Sequence, residues 1–316
     1  MSSSGKRAIR FGIQTPQEGT TFAALAAHWQ EAERLGYDTV WLDDHFHGVV
    51  TPPGADQLEP WVTMAALARE TSSIRFGTLV FCNSYRQPSL TAKMAASLDV
   101  ISNGRLEVGL GAGWYQREYE AYGYEFPPMR TRLAQLEEGL EICRRMWTEE
   151  QPRFDGRHYR IDAPWNHPAP VQKPHPPILI GGGGEKVLLR LVARYARVWN
   201  MGGSPADFKH KIEVLDRHCA ALGRDPREIE RSWFGPILIE ADAERLEERL
   251  RKRAARAGGV GAAIDDKMIA GTPEQVVRRI EEYVALGVTH FIAMFGRVED
   301  LRATRLFAER VIPAFR

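Results

Sequence analysis

Between residues 41 and 48 the chain reads WLDDHFHG, an apolar run followed at once by Asp43, Asp44, His45 and His47. Two carboxylates and two imidazoles this close together suit three kinds of chemistry. As ligands, Asp and His hold zinc or iron. As scaffolding, an acid caps a turn and Asp44 orients His45 by a hydrogen bond. As a polar clamp on a cofactor ring, the imidazole gives or takes a proton near neutral pH. The metal reading lacks supporting ligands: no HxH follows the first apolar run, and comparable positions elsewhere offer glycines and amides. No metal is expected.

Glycines supply the second set of candidates. GGGGEK places Gly181, Gly182, Gly183 and Gly184 between an apolar run and a helical stretch beginning near Glu185. Successive backbone N–H groups there can face an anion without side chains in the way, as in a phosphate cradle. Neither GxGxxG nor GxxxxGK[ST] is present, so no nucleotide fingerprint supports it. In GLGAG (109–113), the small residues at 111–113 would let a flat ring lie close to the backbone, with Trp114 and Tyr115 as walls. WYQRE, directly after it, makes a poor helix opening.

The elements that must position these groups alternate. Short β-branched runs at 8–13, 39–43, 74–81, 105–110, 177–181, 197–200, 233–239 and 290–295 are separated by amphipathic stretches. Eight such units, several apolar throughout, predict an α/β fold, a closed (β/α)8 TIM barrel, with an open doubly wound sheet as the competitor. In a barrel every strand's C-terminal end opens on one face. The candidates above all fall at such ends, with Gln14 after the first strand, Asn200 and Met201 at the sixth, and Arg297 after the eighth.

Helix punctuation agrees. Stretches 22–36 and 132–147 repeat apolar positions at helical spacing, and Thr272, Pro273 and Gln275 form a capping box before a helix closed by Gly287. His28 and Trp29, inside the first of these, are expected to pack. Two segments break the rhythm. Residues 151–177 hold FDGRHYRI, which predicts a hairpin around Asp155 and Gly156, and then a proline-rich run; residues 257–271 are glycine-rich. Both are candidate lids over the mouth, within one domain spanning 1–316.

Composition narrows the partners. Lys plus Arg number 42 against 41 for Asp plus Glu, a net charge of +1 that gives no general attraction to nucleic acid or to an anionic membrane. A small-molecule substrate is favoured. No signal-peptide-like or membrane-length apolar run occurs, so a cytoplasmic location is expected. The three cysteines, Cys82, Cys143 and Cys219, form no CxxC pair and fit buried thiols.

With these residues assembled, the chain resembles the bacterial-luciferase-like superfamily, in particular its branch of oxidoreductases dependent on the deazaflavin coenzyme F420. The likeness rests on WLDDHF, on RFGTLVFCNSYRQPSLTAKMAASLDVISNGRLEVGLGAGW (75–114) and on PPILIGGGGEKVLLRLVARYARVWN (176–200). It implies that Asp44 and His45 lie by the deazaflavin ring, with His45 as proton donor or stabiliser. It also implies a bulge with a non-proline cis peptide at Leu79 and Val80 behind the ring. Ala112 and Gly113 would approach the ring, and Gly181–Gly184 with Asn200 and Met201 the phosphate-bearing tail. Some relatives carry glutamates where this chain has Gln14 and Trp114, and an amide cannot act as an acid. Relatives often pair as homodimers.

The favoured chemistry is hydride transfer between F420 and a small organic substrate, with Trp114, Tyr115 and Arg297 as substrate contacts. Trp61, Trp165 and Phe295 are further aromatic candidates. A flavin mononucleotide (FMN) dependent monooxygenase on the same scaffold is the close rival. A metal-dependent barrel hydrolase and a ring-binding protein without catalysis are more distant ones.

Overall fold

The computed structural model describes residues 8–49, 51, 54–256 and 266–316. Eight parallel strands close a ring: β1 (Arg10–Gln14), β2 (Thr39–Leu42), β3 (Arg75–Thr78, resumed at Phe81–Cys82), β4 (Leu106–Gly111), β5 (Ile178–Gly181), β6 (Val198–Met201), β7 (Glu230–Ile239) and β8 (Val288–Met294). Each hydrogen-bonds to the next, β6 to β7 and β8 back to β1. The chain is a (β/α)8 barrel, and the open sheet is excluded. The helices are α1 (Phe22–Arg34), α2 (Pro60–Glu70), α3 (Pro88–Ile101), α4 (Gln116–Ala121), α5 (Met129–Thr148), α6 (Leu188–Tyr195), α7 (Pro205–Ala221), α8 (Ala243–Arg256), α9 (Pro273–Ala285) and α10 (Arg302–Arg310).

Local sequence explains several ends. Gln275 Oε1 accepts from the Thr272 amide at 2.8 Å, completing the start of α9, and Gly287 after it takes a left-handed φ of 84°. His28 and Trp29 are buried in α1, as expected. His28 contacts the Val298 carbonyl at 2.8 Å, and the Trp29 indole donates to Thr15 at 2.9 Å. α4 contradicts the reading of WYQRE: a short helix does open at Gln116, because Glu118 and Tyr119 are both fully buried there.

The first irregular segment forms the hairpin its sequence predicts, while its course and that of the second differ from expectation. Strands Arg153–Asp155 and Arg160–Asp162 form the hairpin around Asp155 and Gly156. Glu138 of α5 accepts the amides of Arg157, His158 and Tyr159 at 2.9 Å each. Further on, Gln172 bonds Asp99 of α3 and the Leu106 carbonyl at the start of β4, each at 2.7 Å. This segment therefore lies along α3 and α5 rather than across the mouth. Of the stretch 257–271, residues 257–265 lie outside the described residues. Its end, Ile269–Gly271, is a strand paired in parallel with Ile237–Ile239, not a loop.

Period-two alternation sorts each strand into an outer and an inner face. Outer residues join the large apolar core beneath the helices. Inside the ring Trp41, Leu179, Val198 and Ile292 form a separate small cluster, packed against Leu79, Val80 and Phe234. Trp41 fits because the neighbours facing it are glycines: a Cβ at Gly77 would stand 2.8 Å from its ring, and one at Gly12 3.2 Å from Nε1.

Below that layer the barrel floor is charged. Glu107, 1 % exposed, accepts from Arg10 at 2.5 Å and from Arg75 at 2.8 Å, and Arg10 also reaches Glu230 at 2.8 Å. Burial alone would raise the Glu107 carboxyl, but the fields of Arg10 and Arg75 hold it at about 2. A carboxyl lowered in this way stabilises the fold fully above its unfolded value of about 4.3, and the contribution is lost as pH falls toward the folded value. Replacing Glu107 by Gln leaves two guanidiniums short of a counter-charge. The expected loss is about 3–5 kcal/mol in urea unfolding at neutral pH. A loss under about 1 kcal/mol would show the floor network to be dispensable.

Candidate active site

Because all strands are parallel, the ends of β1 to β8 share one rim, and the candidate residues gather there. The third strand shapes its floor. Five residues from Gly77 to Phe81 face four from Glu107 to Leu110, so β3 carries one extra residue, a bulge. The Leu79–Val80 peptide within it is cis. Val80 then points over the neighbouring strands. A Cβ at Gly109, Gly111 or Gly181 would come within 3.1, 2.6 or 3.2 Å of its side chain.

The space at Gly111 is filled by Val80, and at Gly113 by the Tyr119 hydroxyl and the Cys82 thiol, which a Cβ would meet at 1.9 and 2.6 Å. Gly113 also has φ +75°, which disfavours any side chain. These glycines make room for protein groups. Ala112, between them, is half-buried.

Asp43, Asp44 and His45 follow β2 but turn to different partners. Asp44 is fully engaged: Arg86 binds both oxygens at 2.8 and 2.9 Å, and the Cys82 amide donates at 2.7 Å. It ties the end of β2 to the far side of the bulge. Asp43 accepts from Gln57 at 3.1 Å, and burial, opposed by the charge on His45, pushes its carboxyl up to about 6. Asp44 therefore does not orient His45. That partner is Glu118, whose Oε2 lies 2.9 Å from His45 Nδ1.

Glu118 was not among the sequence candidates. Its carboxylate also accepts from the Tyr85 hydroxyl at 2.6 Å and from the Phe46 amide. Burial works against charge on both partners, yet the bond to Glu118 and the charges of Asp43, Glu118 and Asp44 raise His45, while the bonds from His45, Tyr85 and the Phe46 amide lower Glu118. Its signal in the sequence was weak, an acid in WYQRE, a stretch with a poor helix opening. The Trp114 and Tyr115 rings stand edge-on to His45, at centroid distances of 5.8 and 6.0 Å. Trp114 is 62 % exposed, a wall open to solvent.

On the opposite side of the rim a cavity of about 420 Å³ is lined by Leu79, Val80, Gly181–Gly183, Asn200, Met201, Phe234 and Lys211, among others. The glycine run is a narrower cradle than its sequence implied. The Gly182 amide is spent on the Asn200 carbonyl at 2.8 Å. Trp199 donates to the Gly182 carbonyl at 2.8 Å, fixing the turn. The amides of Gly183 and Gly184 have no acceptor among the described residues. α6 begins at Leu188, three residues later than expected. A Cβ at Gly183 would find only ordinary contacts, 3.5 Å to Met201 Sδ and 3.6 Å to Lys211 Cε, so a side chain would fit on this wall of the cavity. Asn200 is held from behind, its amide donating to Ser232 at 2.9 Å.

The remaining candidates are less central. Gln14 is buried at the end of β1. Arg297 has its side chain 84 % exposed beside Glu299, directed at solvent. Trp61 and Phe295 are core residues, Trp61 stacked on Phe81 at 4.1 Å, and Trp165 is exposed beside His167. Among the described residues no cluster of His, Cys, Asp and Glu could hold a metal. No helix of the described residues is long and apolar enough to cross a membrane.

The sequence profile of the luciferase-like monooxygenase family matches residues 8–290. An F420-dependent hydroxymycolic acid dehydrogenase of Mycobacterium tuberculosis is 32 % identical over 96 % of this chain and 88 % of its own. An F420-dependent glucose-6-phosphate dehydrogenase of Segniliparus rotundus is 25 % identical over 98 % of both chains. Among solved structures, an F420-dependent secondary alcohol dehydrogenase superposes with a TM-score of 0.84 at 23 % identity, covering 98 % of this chain and 100 % of its own. EDTA monooxygenase from Chelativorans gives 0.85 at 16 %, covering 98 % and 93 %; these two establish likeness of fold. With its family profile running nearly from end to end of the barrel, the chain belongs to the luciferase-like monooxygenase family.

Proposed function

We propose that this protein is an oxidoreductase that uses coenzyme F420 to interconvert a small, largely apolar alcohol and its carbonyl compound, the whole chain acting as one barrel domain. One observation carries the reading. Two acceptor-free glycine amides and a carboxylate-held histidine open on the same rim, with the Val80 bulge between them. β2 and β5 are three strand spacings apart, about 14 Å along the wall, a span that suits one elongated cofactor. The relatives named for F420-dependent dehydrogenation support the choice of ring.

The residues present fit such a group. The amides of Gly183 and Gly184 would hold its phosphate, with Lys211 close by although paired to Glu185 at 2.6 Å. Leu79 and Val80 would support one face of the ring, Asn200 and Met201 its tail, and Gln14, Ala112 and Gly113 its surroundings. When bound, the deazaflavin takes up or gives hydride at its C5 and reacts poorly with oxygen. The protein's own contribution is position and proton control: Trp114 and Tyr115 confine the substrate, and His45 exchanges a proton with its oxygen. Arg297, turned to solvent, leaves the substrate side without a ready phosphate anchor, so a sugar phosphate is not the substrate proposed.

Separate titrations with F420 and FMN test the ring. F420 is expected to bind at least about tenfold more tightly, a difference of about 1.4 kcal/mol. Selective FMN binding, with oxygen uptake on adding substrate, would replace this reading by the monooxygenase. Gly183→Asp puts a carboxylate into the cradle and is expected to raise the F420 Kd by about tenfold or more; unchanged affinity would move the phosphate elsewhere. His45→Asn is expected to lower kcat by about 10²–10⁴-fold while the cofactor Kd stays within about threefold. Full turnover in that variant would remove His45 from the chemistry.

A further inference from the structure

We propose that Glu118 is the positioning residue of the site: it accepts the Nδ1 proton of His45 and thereby fixes the imidazole with Nε2 as its proton-accepting atom. This deepens the function proposed above, since it assigns the proton step of that reaction, but its geometry stands without any cofactor. The Glu118 side chain is fully buried on α4, and its carboxylate is pinned from several sides. Tyr85 donates to Oε2 at 2.6 Å, the Phe46 amide to Oε1, and His45 Nδ1 lies 2.9 Å from Oε2. A carboxylate held by that many donors cannot swing away, and having no proton of its own it can only accept from Nδ1. The tautomer follows from this.

Nε2, the other ring nitrogen, has no hydrogen-bond partner among the described residues, and the His45 side chain is 15 % exposed beside Trp114 and Tyr115. The charged and titratable groups acting on the ring are Glu118 from α4, Asp43 and Asp44 from its own segment, and Tyr115 edge-on before α4, while Tyr85 and Arg86 act one contact further out, on Glu118 and Asp44. Arg86 is neutralised by Asp44 and by Glu59 at 2.7 Å. The surroundings are therefore acidic, which favours an imidazolium once the proton arrives. In the step assigned, the substrate O–H bond breaks and an Nε2–H bond forms, while the carbinol C–H bond would break with its electron pair and the hydride would go to the oxidised deazaflavin. The resulting imidazolium is held by Glu118, and a neutral hydroxyl suits this acidic corner better than an anionic one.

Nitrogen-15 NMR of the histidines in cofactor-free protein tests the assignment, with His45 identified by its loss in His45→Asn. Neutral His45 is expected as the Nδ1–H tautomer, titrating above an ordinary histidine. The Nε2–H tautomer in the native protein would overturn the proposal, whether or not F420 binds. Glu118→Gln is expected to lower the His45 midpoint by about one pH unit or more. In turnover, it should move the rising limb of kcat/KM for alcohol oxidation toward lower pH and reduce its plateau. If Glu118→Gln fails to fold, the tautomer in native protein still decides. An unshifted midpoint in a folded variant would reduce Glu118 to packing, and failure of F420 to bind would count against the proposed function alone.

Discussion

Everything at the site follows from closing eight parallel strands into one hydrogen-bonded ring. A closed ring has no edge, and parallel strands connected by helices all end on the same side, so residues far apart in sequence are delivered to one rim. Gly183 and His45 belong to strands with two others between them, yet they face the same opening. The charged floor of Arg10, Glu107 and Arg75 holds the opposite end of the ring shut, which leaves the mouth as the open end.

The mouth itself is organised by an extra residue. The bulge in β3 swings Val80 over the barrel, and glycines leave it room: a Cβ at Gly111 would collide with it and one at Gly109 or Gly181 would crowd it. The Asp44–Arg86 pair then secures the chain on leaving the bulge, with the Cys82 amide on the same carboxylate. One acid of WLDDHFHG is thereby used for construction, while its neighbour His45 keeps Nε2 without a partner among the described residues, the atom proposed above for proton exchange. Asp43, with a carboxyl raised to about 6 by burial, lies between those roles and adds to the acidity around the imidazole.

Much of the fold was legible in the sequence because it depends on local signals. Alternating β-branched runs and helical stretches gave eight strands within a few residues of their observed ends, and the hairpin at Asp155 and the cap at Thr272 are written in adjacent residues. The site was less legible because its decisive contacts are not local. Glu118 meets His45 across 73 residues and Arg86 meets Asp44 across 42, and no spacing rule links such pairs. The glycines of GLGAG were ambiguous for a related reason. A missing side chain shows that something comes close, and only packing shows that the neighbour is Val80 or Tyr119 rather than a ligand. The strand at Ile269–Gly271 escaped notice because three residues carry too little pattern.

A crystal structure of the protein with F420 bound tests the central claim most directly. The account predicts phosphate oxygens within hydrogen-bonding distance of the Gly183 and Gly184 amides, with the deazaflavin resting on Val80 and its reactive edge beside His45 Nε2. A phosphate held at another loop of the rim, or a ring seated away from His45, would contradict it.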